Sequence, residues 1–136
     1  MSNFNSLEEA RDFFYNDNFA VNTGVTLDEL TDDKAVCSLM LNDDHRNAYG
    51  GVMGGVIFTL ADFAFAVLSN QIHQLTVAQQ VSINYLSAPK GDKLIAEATC
   101  RKSGRTSSII IVNISDDVGR DVAQFVGTGF KLQVNK

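Results

Sequence analysis

The chain has 136 residues, of which 45% are hydrophobic, and a formal net charge of −5. The length suits a single domain over residues 1–136, and this hydrophobic content argues against a disordered chain. The excess of acidic residues is the opposite of the Lys- and Arg-rich composition typical of nucleic-acid binders, so no nucleic-acid partner is expected.

In chain order, the hydrophobic pattern predicts a short helix, two strands, a very apolar helix and four further strands. The predicted ranges are 6–16 and 54–70 for the helices, and 21–27, 35–41, 76–86, 93–101, 107–115 and 121–132 for the strands. Phe13, Phe14 and Phe19 are expected to point inward. Because the second helix is apolar on nearly every face, we expect a curved antiparallel sheet to cover it, giving a layered α+β domain.

The same apolar stretch requires a membrane test. Residues 50–68 hold a single charge, Asp62, and approach the length of a membrane-spanning helix. However, glycines crowd the start of the stretch, no Lys or Arg brackets it, and a carboxylate near its centre is costly in a bilayer. We therefore favour a buried core helix and expect no membrane partner.

The N-terminus and the cysteines indicate the compartment. No basic region followed by an apolar run begins the chain, so no signal peptide is expected. Cys37 and Cys100 lie in apolar, strand-like segments without the spacing of a zinc site. Buried free thiols in a reducing cytoplasm are favoured over a disulfide, which predicts a cytoplasmic protein that binds no metal.

Gly54 and Gly55 stand where the apolar helix is predicted to begin. The first backbone N–H groups of a helix have no partner within the helix, and they carry partial positive charge. Glycine lets a ligand approach these donors closely, so they could stabilise the oxyanion that forms when a carbonyl is attacked. The alternative is that the glycines only permit tight packing of the helix on the sheet.

Asp62 is the second notable residue. Every other residue from 56 to 68 except Thr59 is apolar. A carboxylate in such surroundings is usually paired, has a raised pKa, or works as a base or nucleophile. Alternatively, hydrogen bonds from a strand or a dimer contact would satisfy it. Asn47, in the loop before the glycines, could donate to a carbonyl oxygen or hold a water molecule, or could simply be a turn residue.

The spacing of these residues implies two chains. Gly54 and Asp62 are eight residues apart on one helix, which separates their backbones by roughly 12 Å along the axis. A base and an oxyanion donor must both reach one reacting centre. Two copies related by a two-fold axis could combine Asn47 and Gly54 of one chain with Asp62 of the other, so we predict a homodimer that forms the site.

The segment from Asn47 through the glycine pair to Asp62 resembles the signature of hotdog-fold acyl-CoA thioesterases of the phenylacetyl-CoA thioesterase (PaaI) type. Residues 83–87 and 102–106 also resemble family features. The resemblance implies a hotdog fold, with a long central helix wrapped by about five to six antiparallel strands, and dimers that commonly pair into homotetramers. It further implies that Asp62 is the general base or nucleophile, and that Asn47 and the Gly54 amide hold and polarise the carbonyl.

The chain departs from this family at Met53, where the family usually has His before the glycine pair. Methionine donates no conventional hydrogen bond. Ala78 lies near a position that often carries Ser or Thr in relatives. We therefore expect Met53, Gly55, His45 and Ala78 to border the substrate. We also expect the rate of hydrolysis or the acyl preference to differ from that of the family. Lys90 and Arg101 could add positive charge near the site, but as exposed cations they are expected only to be solvated.

The remaining candidate site is the turn between two predicted strands. Gly104, Arg105, Thr106 and Ser107 could hold the phosphates of coenzyme A through amides, hydroxyls and a guanidinium, or could form an ordinary hairpin turn.

The leading hypothesis is hydrolysis of an acyl-CoA, with coenzyme A as part of the substrate and no other cofactor or metal. A non-catalytic module that binds an acyl-CoA is the alternative, favoured by Met53. A hotdog dehydratase or hydratase is a third possibility, but those enzymes usually place a His beside the carboxylate.

Overall fold

The computed structural model describes residues 3–133, which form three α-helices and one antiparallel sheet of six strands. The helices are α1 (Leu7–Phe14), α2 (Asn18–Thr23) and α3 (Gly54–Ile72). The strands are β1 (Val25–Leu30), β2 (Lys34–Met40), β3 (Thr76–Tyr85), β4 (Lys93–Ser103), β5 (Ser107–Asp116) and β6 (Asp121–Lys131). The predicted α+β class is therefore confirmed, and the six strands match the upper end of the predicted five to six.

The N-terminal region differs from the prediction. Ser6 caps α1, since its side chain accepts from the Glu9 amide at 3.1 Å, and α1 ends two residues before the predicted limit of residue 16. The segment predicted to begin the first strand at residue 21 is instead the end of α2. Gly24 terminates this helix with a φ of 107°, a left-handed conformation that glycine adopts without strain. The first strand begins only after this turn.

The sheet order is β1-β2-β4-β5-β6-β3. Each connected pair from β4 to β6 follows the expected hairpin pattern, but β3 does not pair with its sequence neighbour β4. It crosses to the far edge and pairs with β6, from Thr76 opposite Lys131 to Tyr85 opposite Ala123. As a result, the strand that follows the central helix becomes an open edge of the sheet.

Helix α3 lies in the concave face of the sheet and contacts all six strands. Its buried side includes Leu60, Val67 and Leu68, which are fully covered by the strands. By length and composition the helix could cross a membrane, but most of its apolar window is buried within the fold. This burial identifies it as the core helix that the sequence predicted.

Two of the three phenylalanines expected in the core lie at the surface. Phe14 is buried, whereas Phe13 and Phe19 remain 46% and 73% exposed. They lie on the short helices α1 and α2, outside the buried core. The two cysteines are free, as expected; Cys37 is buried and Cys100 is only half-buried. Burial, followed by the charge of Asp28, raises the pKa of the Cys37 thiol.

Candidate active site

The loop before α3 is organised by Asn47. Its side-chain Oδ1 accepts from the amides of Tyr49 (2.9 Å) and Gly51 (3.1 Å), and its own amide donates to the Gly51 carbonyl at 2.8 Å. Because two backbone donors fix the position of Oδ1, Nδ2 is the remaining donor of this side chain. Nδ2 has no hydrogen-bond partner among residues 3–133, and the side chain is exposed. Asn47 therefore both shapes the loop and keeps an amide donor free.

The N-terminus of α3 is open. Met53 occupies the N-cap position in extended conformation and makes no side-chain capping bond. Its amide donates to the His45 carbonyl at 2.9 Å, and its carbonyl accepts from the Val56 amide at 3.0 Å. The amides of Gly54 and Gly55 lie in the first turn, where no intrahelical acceptor exists. The predicted helix start at Gly54 is confirmed, and these amides can receive an anion or a carbonyl oxygen.

The Tyr85 side chain packs against Gly54. The Tyr85 hydroxyl donates to the Gly54 carbonyl at 3.0 Å. A Cβ added to Gly54 would lie 3.2 Å from both the hydroxyl and the Cζ of Tyr85, which is tighter than ordinary packing. By contrast, a Cβ on Gly55 would meet only the Met53 Cε, at 3.8 Å. Sequence reasoning missed Tyr85, because the contact joins the end of β3 to a helix 31 residues earlier.

Asp62 lines a cavity of about 330 Å³ and is half-buried. The other lining residues come from α3 and from the segment around α2: Asp17, Phe19, Ala20, Phe58, Thr59 and Phe63. Burial raises the pKa of the Asp62 carboxyl, and the negative charge of Asp17 raises it further. No Lys, Arg or His lines this cavity in the described part of the chain. An unpaired carboxylate facing a cavity can accept a proton or attack a carbonyl.

Within one chain, the carboxylate and the helix start do not meet. Asp62 lies eight residues after Gly54 on α3, which corresponds to about 12 Å along the axis. Neither Asn47 nor Gly54 lines the Asp62 cavity. A single protomer therefore presents two half-sites: a donor-rich one at the start of α3 and a carboxylate one at its middle.

The other residues expected near a substrate differ in accessibility. Met53 is 55% exposed, and Gly55 and Ala78 are exposed as well, Ala78 on the edge strand β3. His45 is buried instead: its Nδ1 accepts from the Asn42 amide at 3.1 Å, and its Nε2 donates to the Thr23 carbonyl at 2.7 Å. Since both ring nitrogens are engaged, His45 anchors the loop and offers no free ring nitrogen to a ligand.

The turn at residues 104–107 joins β4 to β5, and the Gly104 amide donates to the Ser107 carbonyl at 2.8 Å. The Lys131 ammonium donates to the Gly104 carbonyl (2.6 Å) and to Ser103 Oγ (2.7 Å). Arg105 and Thr106 are exposed at this turn. The sequence did not single out Lys131, which adds a cation to the turn through the last strand.

A larger cavity, of about 540 Å³, lies between α1 and β1. Arg11 lines it, and its Nε donates to the Leu27 carbonyl at 2.8 Å. Its walls share only Phe63 with the Asp62 cavity. Of these two cavities, the smaller one is lined by the unpaired carboxylate of Asp62.

A long helix held in the concave face of a single antiparallel sheet defines a hotdog-fold protein. Comparison with known proteins gives the family. Residues 49–123 match the model of the thioesterase superfamily, which covers more than half of the 136 residues. The chain therefore belongs to the thioesterase superfamily, and the predicted PaaI-like relationship and thioesterase class are confirmed.

Similar proteins cover most of the chain. A protein of Archaeoglobus fulgidus is 30% identical over 128 residues, 93% of this chain and 83% of its own. The acyl-coenzyme A thioesterase PaaI of Escherichia coli is 27% identical over 126 residues, 92% of this chain and 90% of its own. The solved structure of E. coli PaaI superposes with a TM-score of 0.86, at 27% identity and 91% coverage of both chains.

A solved thioesterase structure from Streptococcus pneumoniae contains coenzyme A. It superposes with a TM-score of 0.81 at 27% identity, covering 90% of this chain and 99% of its own. The hotdog fold predicted from the sequence is thus matched by solved structures over nearly the whole chain.

Proposed function

We propose that this protein hydrolyses an acyl-CoA thioester to the free acid and coenzyme A, at sites formed between two protomers. The observation that carries the proposal is that the Asp62 carboxylate faces a cavity and has no cationic partner there. A carboxylate with only a structural role would be expected to have such a partner. The acyl-CoA substrate is supported by E. coli PaaI, which is named an acyl-coenzyme A thioesterase, and by the coenzyme A-containing structure.

In the proposed reaction, Asp62 takes a proton from water as the water oxygen attacks the thioester carbonyl. The Gly54 amide of the other protomer stabilises the oxyanion, and Asn47 Nδ2 orients the carbonyl. The carbon–sulfur bond then breaks, and the leaving thiolate takes the proton back from Asp62. The acid product ionises and releases one proton to solvent. No metal or cofactor is required, since coenzyme A enters as part of the substrate.

Asp62 could instead attack the carbonyl itself and form a mixed anhydride. The two routes differ in the origin of one oxygen atom. In a single turnover in ¹⁸O-labelled water, direct attack by water places ¹⁸O in the product acid. Attack by Asp62, followed by hydrolysis at the Asp62 carbonyl, places unlabelled enzyme oxygen there. Unlabelled acid after one turnover, detected by mass spectrometry, identifies attack by Asp62 with hydrolysis at its own carbonyl.

The shared site is supported by the separation of the half-sites and by the open edge of β3. Residues 77–80 on this edge are exposed, including Val77 at 42%. An exposed strand edge is a ready surface for pairing with a second copy. We propose a homodimer formed through this edge, pairing further into a homotetramer. We also propose a reducing, cytoplasmic location, which the two free cysteines support.

Mixing two inactive variants tests the shared site directly. Asp62→Asn and Asn47→Ala each disable both sites of a homodimer, in different half-sites. If each site combines Asn47 of one chain with Asp62 of the other, random mixing restores one site in each heterodimer. That corresponds to about a quarter of the wild-type activity for equal mixing. Activity that stays at the level of the separate variants would refute the shared site.

Met53 favours one alternative, a module that binds an acyl-CoA without hydrolysing it. Its side chain is 55% exposed beside the open helix start, where it can contact a ligand but donate no hydrogen bond. The phosphates of such a ligand, or of the substrate, would be held at the turn of Gly104, Arg105, Thr106 and Ser107, beside Lys131. A panel of aromatic, short and medium acyl-CoAs, assayed for binding and for released thiol, separates the two functions. Binding without thiol release would favour the module.

A further inference from the structure

Asp17 is a second carboxylate of the Asp62 cavity, and the local structure does not account for it. It occupies the N-cap of α2, where its carbonyl accepts from the Val21 amide at 3.0 Å. Its carboxylate makes no capping bond to the helix. An Asp at this position normally accepts from the first turn of the helix. Asp17 lines the cavity that contains Asp62.

Asp17 and Asp62 line the same cavity. Phe19, Phe58 and Phe63 form much of the cavity wall, with Ala20 and Thr59. Asp17 and Asp62 are the titratable groups that line it in the described part of the chain, and no cation is present to offset their charges. Because like charges that share a cavity repel, the charge of Asp17 favours the protonated form of Asp62.

We propose that Asp17 is a positioning residue of the active site, whose negative charge in the shared cavity makes the Asp62 carboxylate a stronger base. The pKa of Asp62 is raised by burial and by Asp17, which agrees with the geometry. A stronger base takes a proton from water more readily, and efficiency is greatest when its pKa approaches the working pH. This tuning residue comes from the N-terminal segment, outside the residues 49–123 that match the family model.

The kinetic consequence rests on the proposed function, whereas the titration of Asp62 does not. Asp17→Asn keeps a good N-cap residue and removes the charge. We expect the acid limb of the kcat/KM profile to move to lower pH and the plateau to fall. Asp17→Lys should move the limb further in the same direction. The matched control is Asp12→Asn, an exposed carboxylate on α1 that does not line the cavity, which should leave the profile unchanged.

Direct titration of Asp62 tests the coupling of the two carboxylates independently of acyl-CoA hydrolysis. In protein labelled with ¹³C in its carboxyl groups, the Asp62 signal is assigned by its absence in Asp62→Asn. Its midpoint should move to lower pH in Asp17→Asn and stay in place in Asp12→Asn. If it stays in place in both, Asp17 has no such role. If it moves while no acyl-CoA is hydrolysed by the wild type, the coupling of the carboxylates stands and the proposed hydrolysis fails.

Discussion

Replacing Asp62 by Asn should change activity and stability in opposite directions. The substitution keeps the size of the side chain but removes its charge and basicity. Loss of a positioned general base costs about 10²–10⁴-fold in rate, so kcat/KM for the best acyl-CoA should fall by that factor. Asp62→Glu keeps the base but extends it by one methylene, and a displacement of about 1 Å can cost on the order of 10²-fold. The expected order of activity is therefore wild type, Glu, Asn.

The stability effect follows from the direction of the pKa shift. Burial and Asp17 raise the pKa of Asp62 in the folded protein. The contribution of the protonated group to the free energy of unfolding is therefore fully present below its unfolded-state pKa. It is lost as the pH rises through the higher folded-state pKa. Near neutral pH the wild type bears this loss and Asp62→Asn does not, so the variant should be more stable there.

Urea unfolding at several pH values and a thiol-release assay measure both effects on the same preparations. The excess stability of Asp62→Asn over the wild type should appear as the pH rises from the acid side. Asp12→Asn is the matched control, since its carboxylate is exposed. An inactive variant that is also less stable at neutral pH would contradict the reasoning, because Asp62 would then be holding the fold together.

Three further predictions concern positions where the structure fixes a close contact. Gly54→Ala should be less stable than Gly55→Ala in thermal unfolding, because only the first places a Cβ 3.2 Å from Tyr85; equal melting temperatures would show that Tyr85 moves aside freely. Gly127→Ala places a Cβ 2.7 Å from the Phe65 ring and should lower the free energy of unfolding by about 1–3 kcal/mol. Phe65→Leu in the same chain should recover part of that loss, and the absence of any recovery would remove overpacking as the cause. Burial acts to raise the pKa of Asp116, but four backbone N–H donors lower it to about 2. Asp116→Asn should therefore be destabilised at neutral pH, and the difference from the wild type should shrink in urea unfolding as the pH falls from about 4 towards 2; a difference independent of pH would contradict the linkage.

The sequence alone determined the elements that depend on local patterns. The apolar run after the glycine pair predicted α3 and its start at Gly54, since helix periodicity and the need for burial are local properties. The alternation and turn residues located five of the six strands closely. The spacing of Gly54 and Asp62 was enough by itself to indicate that one chain could not hold both groups at one reacting centre.

The sequence did not predict the features that depend on contacts between distant segments of the chain. Residues 21–23 have β-branched or apolar members, yet they end α2, because Gly24 can adopt the left-handed turn that precedes β1. Phe19 was predicted to be a core residue but is exposed, because it lines the Asp62 cavity and does not join the buried core. The crossing of β3 to the far edge had no local signal, since strand order depends on packing around the helix.

The candidate site likewise combines residues that the sequence predicted with contacts that only folding created. Positions 47, 54 and 62 could be selected as candidate site residues from the sequence alone, because donor amides and a carboxylate in an apolar helix have distinctive chemistry. Only the tertiary structure placed the Tyr85 ring against Gly54, Lys131 beside the 104–107 turn and Asp17 in the cavity that Asp62 lines. These contacts join residues 27 to 45 positions apart, and side-chain proximity over such separations is created by folding, not by the local pattern.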